Sequence, residues 1–149
     1  MIRDRLDPVL EEKLQGTPVV RAQETSFLGL KPGDLVQFSY QKGASRGFYS
    51  GLVVASKKTG AGCIRLSTRN NTLINIITVD GLSQTSFNFM INRLYNNWTL
   101  SKYPNKGENL ARFSNVDQQG MNALKEIFNE DNFKTFIVHQ MYDIKVISL

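Results

Sequence analysis

The residue types that most often carry catalysis or bind metals are sparse in this 149-residue chain, which has one histidine, His139, and one cysteine, Cys63. A zinc site needs about four nitrogen, sulfur or oxygen ligands, so these two residues supply too few without several carboxylates. Cys63 lies inside an apolar segment, where a buried and unreactive thiol is the ordinary role. A nucleophile and base pair formed by Cys63 and His139 would require spatial proximity, and neither residue stands in a catalytic motif.

Paired carboxylates and glycine-bearing segments are equally uninformative for catalysis. Glu11 and Glu12 are neighbours in sequence, as are Glu130 and Asp131, and adjacent residues on a helix do not face each other. The glycines in segments 43–47 and 59–62 lack the spacing of the phosphate-binding loops of nucleotide-binding proteins. We therefore predict a protein that is not an enzyme and that holds no cofactor, no metal and no small-molecule substrate.

Basic residues form the strongest candidate for a binding surface. The net charge of +5 lies wholly between Lys31 and Asp80, a stretch with seven basic and two acidic residues. Cations near the predicted turns alternate with Tyr40, Phe48 and Tyr49, which suits phosphate neutralisation and base stacking. The same charges suit an acidic protein surface, and the same aromatic residues alternate as core residues do. The candidate contacts to a polyanion or a protein partner are Lys42, Arg46, Lys57, Lys58, Arg65 and Arg69.

The candidate basic residues lie on or next to segments that are predicted to form β-strands. The turn at Lys31–Asp34 leads into alternating residues, and further apolar runs separated by turn residues predict a meander. Its four predicted strands are 35–40, 48–57, 63–68 and 72–79. The end of the chain returns to the same pattern at 133–138 and 144–147, which predicts a terminal strand that closes a strongly bent antiparallel sheet or barrel.

Helical patterns flank and interrupt the strands. Pro8 and Gly16 bound a short helix with few apolar residues, which we expect to pack weakly on the body or to dock on a neighbour. Residues 17–30 are expected to form an extended arm. Ser83 begins an apolar pattern at helical spacing, and Asp117 begins another. The predicted organisation is an N-terminal helix and arm over 1–30, then one β-barrel domain over 31–149 with a helical insertion at about 82–130.

A family resemblance rests on the segment LKPGDLVQF at 30–38, on GLVVA at 51–55, and on the strand FKTFIV at 133–138. The first of these resembles the opening of an SH3-like small barrel. The order of meander, helix, loop and terminal strand over 31–149 resembles that of small proteins of tailed bacteriophages. The resemblance implies an α+β fold in which a small antiparallel SH3-like β-barrel carries two inserted helices and an N-terminal helix and arm.

The same resemblance implies a function. It implies a structural or assembly component of a virion, in a tail, baseplate, neck or capsid accessory position, made in the host cytoplasm. Its partners would be other virion proteins and copies of itself. The alternative that the basic stretch leaves open is a nucleic-acid-binding barrel. No membrane span is expected, because apolar runs such as 52–55 and 73–79 are far shorter than the roughly 20 residues that a spanning helix needs.

Overall fold

The computed structural model describes residues 6–54, 73–97, 116–129 and 131–149. Within these ranges the chain forms three α-helices and six β-strands. The helices are α1 (Pro8–Leu14), α2 (Gln84–Arg93) and α3 (Gln118–Ile127), and the strands are β1 (Arg21–Glu24), β2 (Leu35–Lys42), β3 (Ser45–Val54), β4 (Leu73–Thr78), β5 (Phe133–Ile137) and β6 (Met141–Ser148). None of the described helices has the length and hydropathy of a membrane-spanning helix.

All six strands belong to one antiparallel sheet in the order β1-β6-β2-β3-β4-β5. The expected α+β class is confirmed. The expected closure into a barrel is wrong, because among the described residues β1 and β5 form two separate edges. The physical reason is that β1 pairs with the outer edge of β6, so that edge is not open to β5.

Most of the predicted strands are confirmed. β2 and β6 extend beyond the predicted bounds, whereas β4 and β5 fall slightly short of them. β3 begins three residues before the predicted start and is described as far as Val54. The predicted strand at 63–68, with Cys63, lies outside the described residues.

The N-terminal helix packs far more closely than its composition suggests. Leu10 of α1 is fully buried, and Leu14 is nearly so. Asp7 caps the helix, and its carboxylate also accepts a hydrogen bond from the Ser50 hydroxyl at 2.8 Å, in a buried setting. The backbone N–H of Asp7 donates to Oε1 of Gln37 at 2.9 Å. The expectation of weak packing is therefore wrong, because two leucines and one buried cap suffice to fix a short helix on the sheet.

The segment that follows α1 is likewise part of the body. Arg21 to Glu24 form β1 and pair in register with Ser148 to Lys145 of β6. The arm predicted at 17–30 therefore contributes an edge strand, followed by a single turn of 3-10 helix at Phe27–Gly29.

The sheet is not closed, but it curls so strongly that side chains of β2 and β5 meet on its inner face. In a flat sheet, β2 and β5 would be about 14 Å apart, because three strand spacings of roughly 4.8 Å separate them. The ring centroids of Phe38 on β2 and Phe136 on β5 are 4.9 Å apart. Tyr40 and Tyr49 complete this aromatic cluster. The strongly bent sheet expected from the sequence is thus confirmed.

The outer face, which we call the helix face, packs against all three helices. Its core includes Leu35, Leu52 and Ile77 from the strands and Phe87 and Leu124 from the helices. Burial falls along β3 on this face, from Leu52 and Ser50 to Phe48 and Arg46, which are exposed. Among the described residues, the helices therefore cover one half of the helix face and leave the half next to the β2–β3 hairpin exposed.

Candidate docking surface

Two exposed aromatic rings lie on the uncovered half of the helix face. Phe48 of β3 and Tyr142 of β6 are 45% and 46% exposed. Both pair with Ser39 of β2, so the three residues form one row across three strands. Adjacent strands are about 4.8 Å apart, which places the two aromatic residues roughly 10 Å from each other with a small serine between them. With Arg46, these three residues are called the hairpin patch below.

A β-bulge in β6 brings Tyr142 to this row. The register that pairs Gln37 with Lys145 would place Asp143 opposite Ser39, but the register shifts and Tyr142 pairs with Ser39 instead. Asp143 adopts the left-handed backbone conformation, with φ 53°. Bulges commonly re-aim a side chain in this way, and aspartate is among the residues that tolerate this conformation.

Arg46 connects the strands of the patch. It extends from β3 across β2, and its guanidinium carbon lies 5.3 Å from the centroid of the Tyr142 ring. The same guanidinium lies 3.7 Å from a carboxylate oxygen of Asp143. The side chains of Arg46 and Asp143 are 54% and 73% exposed. Because exposed ion pairs and exposed cation–π contacts each contribute only about 0–1 kcal/mol, this arrangement orients Arg46 without locking it.

The structure places two of the six predicted contact residues. Arg46 belongs to the hairpin patch, and Lys42 is exposed at the end of β2, where it pairs with Ser45. The other four, Lys57, Lys58, Arg65 and Arg69, lie outside the described residues.

Sequence reasoning missed half of the patch. Of the aromatic residues singled out, Tyr40 and Tyr49 pack in the inner-face cluster, and only Phe48 is on the helix face. The alternation along β3 carries this information, because Phe48 and Tyr49 must point to opposite faces. The sequence around Tyr142 and Asp143 does not show that they lie beside Arg46, because their position opposite β2 depends on the bulge in β6.

The remaining candidate residues do not converge with the patch. His139 is exposed in a 3-10 turn, Val138–Gln140, that joins β5 to β6. Glu11 and Glu12 are exposed on α1. Within the described ranges, no three histidine, cysteine, aspartate or glutamate side chains lie close enough together to hold a metal ion.

A second concave surface lies between α2 and α3. It encloses about 670 Å³ and is lined mainly by polar side chains, with Phe89 as its aromatic wall. The guanidinium carbon of Arg93 lies 5.6 Å from the centroid of that ring. Asn88 and Asn92 add amides, and the carboxylate of Asp117 accepts a hydrogen bond from the backbone N–H of Gly120, so this groove offers mainly hydrogen-bonding groups.

One carboxylate with a shifted pKa lies at the junction of the three helices. Glu126 of α3 accepts hydrogen bonds from the hydroxyl of Ser83, at 2.7 Å, and from its backbone N–H. Burial by itself would raise the pKa of Glu126, but hydrogen bonds from Ser86 and Ser83 and the charge of Lys13 outweigh it and lower the pKa. Glu126 of α3 thus stabilises the N-terminus of α2 by accepting hydrogen bonds from its N-cap residue, Ser83, and this role is structural.

Comparison of the chain with protein-family models, with curated proteins and with solved structures finds no match. The fold and the hairpin patch therefore supply the argument for function.

Proposed function

We propose that this chain is a non-enzymatic docking and assembly module and that the hairpin patch is its contact surface. The observation that carries the proposal is the contact between Arg46 and Tyr142 beside exposed Phe48, on the half of the helix face that no described helix covers. Tyrosine, phenylalanine and arginine are enriched at the centres of protein–protein interfaces, where tyrosine and arginine recur among the residues that dominate binding energy.

The proposal extends to the fold family and the setting. We propose that this open, curled sheet is a variant of the SH3-like fold, in a structural or assembly protein of a tailed-phage virion. The curl of the sheet, the short turn from β5 to β6 and the helices between β4 and β5 support this proposal. In that setting the partners are other virion proteins and copies of this chain, and the location is a tail, baseplate, neck or capsid accessory position.

A second candidate function is nucleic-acid binding. Lys42 and Arg46 would neutralise phosphates, and the exposed rings of Phe48 and Tyr142 would stack on bases. The carboxylate of Asp143 beside Arg46 opposes this function, because it would repel successive phosphates that pass Arg46. Protein docking is therefore the preferred function.

The test is incorporation of variants into particles when the chain is supplied in trans. Phe48→Ser combined with Tyr142→Ser removes both aromatic rings from the patch. Val20→Ser combined with Leu28→Ser is the control, because it removes two exposed apolar side chains from elsewhere on the surface. We expect the patch variant to be lost from particles and the control to be retained. Equal incorporation of a folded patch variant would contradict the proposal.

The nucleic-acid alternative is tested with the same variants. Size-exclusion chromatography with light scattering, run at low and high salt with a short single-stranded oligonucleotide, reports complex formation directly. A salt-sensitive complex that the patch variant loses would favour the second function over the first.

A further inference from the structure

We infer that the hairpin patch binds an acidic segment of its protein partner, and that Asp143 occupies the place of the partner's carboxylate until that segment arrives. This inference rests on the proposed docking function and names the chemistry of the partner at the same surface.

The ion pair between Arg46 of the patch and the neighbouring Asp143 is weak enough to be exchanged. The distance of 3.7 Å between Arg46 and Asp143 is longer than the roughly 2.7–2.9 Å of a charge-assisted hydrogen bond. Both side chains are more than half exposed, so water competes for each of them. A guanidinium can bind a carboxylate through two parallel hydrogen bonds, and a partner's carboxylate at an interface would be less hydrated than Asp143. Arg46 therefore gains from exchanging one carboxylate for the other.

The bulge of β6 places the ring and the carboxylate on the same guanidinium. The ring of Tyr142 lies under the guanidinium of Arg46, and the carboxylate of the next residue, Asp143, lies beside a nitrogen of the same guanidinium. This placement requires the left-handed conformation of Asp143, which is uncommon for residues other than glycine. Asp143 thus occupies the side of the guanidinium that an incoming acidic side chain would take, while Arg46 stays over the tyrosine ring.

The surroundings of Asp143 favour a localised carboxylate over a nucleic-acid backbone. Glu24 and Asp143 both line a shallow cavity of about 370 Å³ beside Ile144. Glu24 is paired across the strands with Lys145, so Asp143 is the carboxylate beside Arg46 that a chain of phosphates would meet, and it would repel them. A peptide that presents one acidic residue to Arg46 and apolar residues to Phe48 and Tyr142 avoids this repulsion.

The experiment measures peptide binding to the full chain by fluorescence anisotropy. The probe is a fluorescein-labelled peptide in which a single glutamate is flanked by leucines, and its control is the same peptide with glutamine in place of glutamate. Asp143→Asn removes the competing charge, keeps the side-chain shape and tolerates the same backbone conformation. Asp80→Asn makes the same change in charge at an exposed residue that follows β4.

We expect Asp143→Asn to raise the affinity for the glutamate peptide about two- to fivefold, which corresponds to the loss of one exposed ion pair. Asp80→Asn should have a smaller effect, Arg46→Gln should abolish the gain, and the glutamine peptide should not discriminate between the variants. An equal effect of Asp143→Asn and Asp80→Asn would overturn the inference, as would a larger gain for single-stranded oligothymidylate than for the peptide.

The two proposals fail in different ways. If the glutamate peptide does not bind and the patch variant is still lost from particles, the docking function stands and the acidic partner is excluded. If the patch variant is incorporated normally, the docking function fails whatever the peptide does.

Discussion

The hydroxyl of Tyr40 on β2 accepts a hydrogen bond from the backbone N–H of Ile137 on β5 at 3.1 Å, although β3 and β4 separate these two strands in the sheet. The contact exists because the sheet curls until its inner face meets itself. It joins β2 to the edge strand β5 without any pairing between them. The hydrogen bond therefore helps to maintain the curl of the sheet between β2 and β5.

Removal of this hydroxyl should weaken the curl. Tyr40→Phe leaves the ring in the aromatic cluster but takes the acceptor from a partly buried N–H, so we expect the free energy of unfolding to fall by about 1–2 kcal/mol. Denaturant titration measures this change. Tyr49→Phe is the matched control, since among the described residues that hydroxyl makes no hydrogen bond of this kind, and an equal loss in both variants would contradict the explanation.

Two glycines with positive φ should respond differently to alanine. Gly33 has φ 94°, and an added Cβ would lie 2.9 Å from the backbone nitrogen of Asn97. Gly43 has φ 61°, and an added Cβ would meet nothing within 4 Å. We expect Gly43→Ala to cost about 1 kcal/mol from backbone strain alone and Gly33→Ala to cost about 1–3 kcal/mol more from overpacking. Thermal or denaturant unfolding measures both, and a similar cost for the two would show that the turn at Gly33 does not pack tightly on the end of α2.

The lowered pKa of Glu126 predicts a pH dependence of stability. Because the pKa is lower in the folded than in the unfolded state, the ionised carboxylate stabilises the fold above its ordinary value of 4.5, and this contribution is lost as the pH falls through the lowered pKa. The stability advantage of the wild type over Glu126→Gln should thus be constant near pH 7 and shrink below about pH 4.5. Denaturant titrations at several pH values measure it, with Glu11→Gln as an exposed control. An advantage that grows on acidification would contradict the assignment.

The strands were predictable where alternation is regular. Val36, Phe38 and Tyr40 show it on β2, and that segment forms a strand; the run from Phe133 to Ile137 is rich in aromatic and β-branched residues, and it forms β5. β1 was missed because Arg21 to Glu24 contain one apolar residue, so its pairing with β6 follows from tertiary contacts rather than from local pattern. α1 was underestimated for a similar reason, since a pair of leucines does not reveal the buried cap at Asp7.

The site was predictable only in part. Arg46 stood out because charge and turn residues coincide, but its partners come from β6, about 100 residues further along the chain. Nothing in the local sequence around Tyr142 indicates a bulge, because the extra residue is defined by its pairing with β2. The sequence can therefore indicate that one residue is exposed on a strand, but it does not show which residue of a distant strand lies in contact with it.

The central claim is that the hairpin patch contacts protein during assembly, and site-specific photo-crosslinking tests it most directly. Benzoylphenylalanine is introduced at Phe48, or at exposed Leu28 as a control outside the patch, and particles are irradiated as they form. We expect the Phe48 position to yield an adduct with a virion protein, another copy of the chain included, that the Leu28 position does not give. Adducts with nucleic acid at Phe48, or no adduct in finished particles that contain the chain, would contradict the claim.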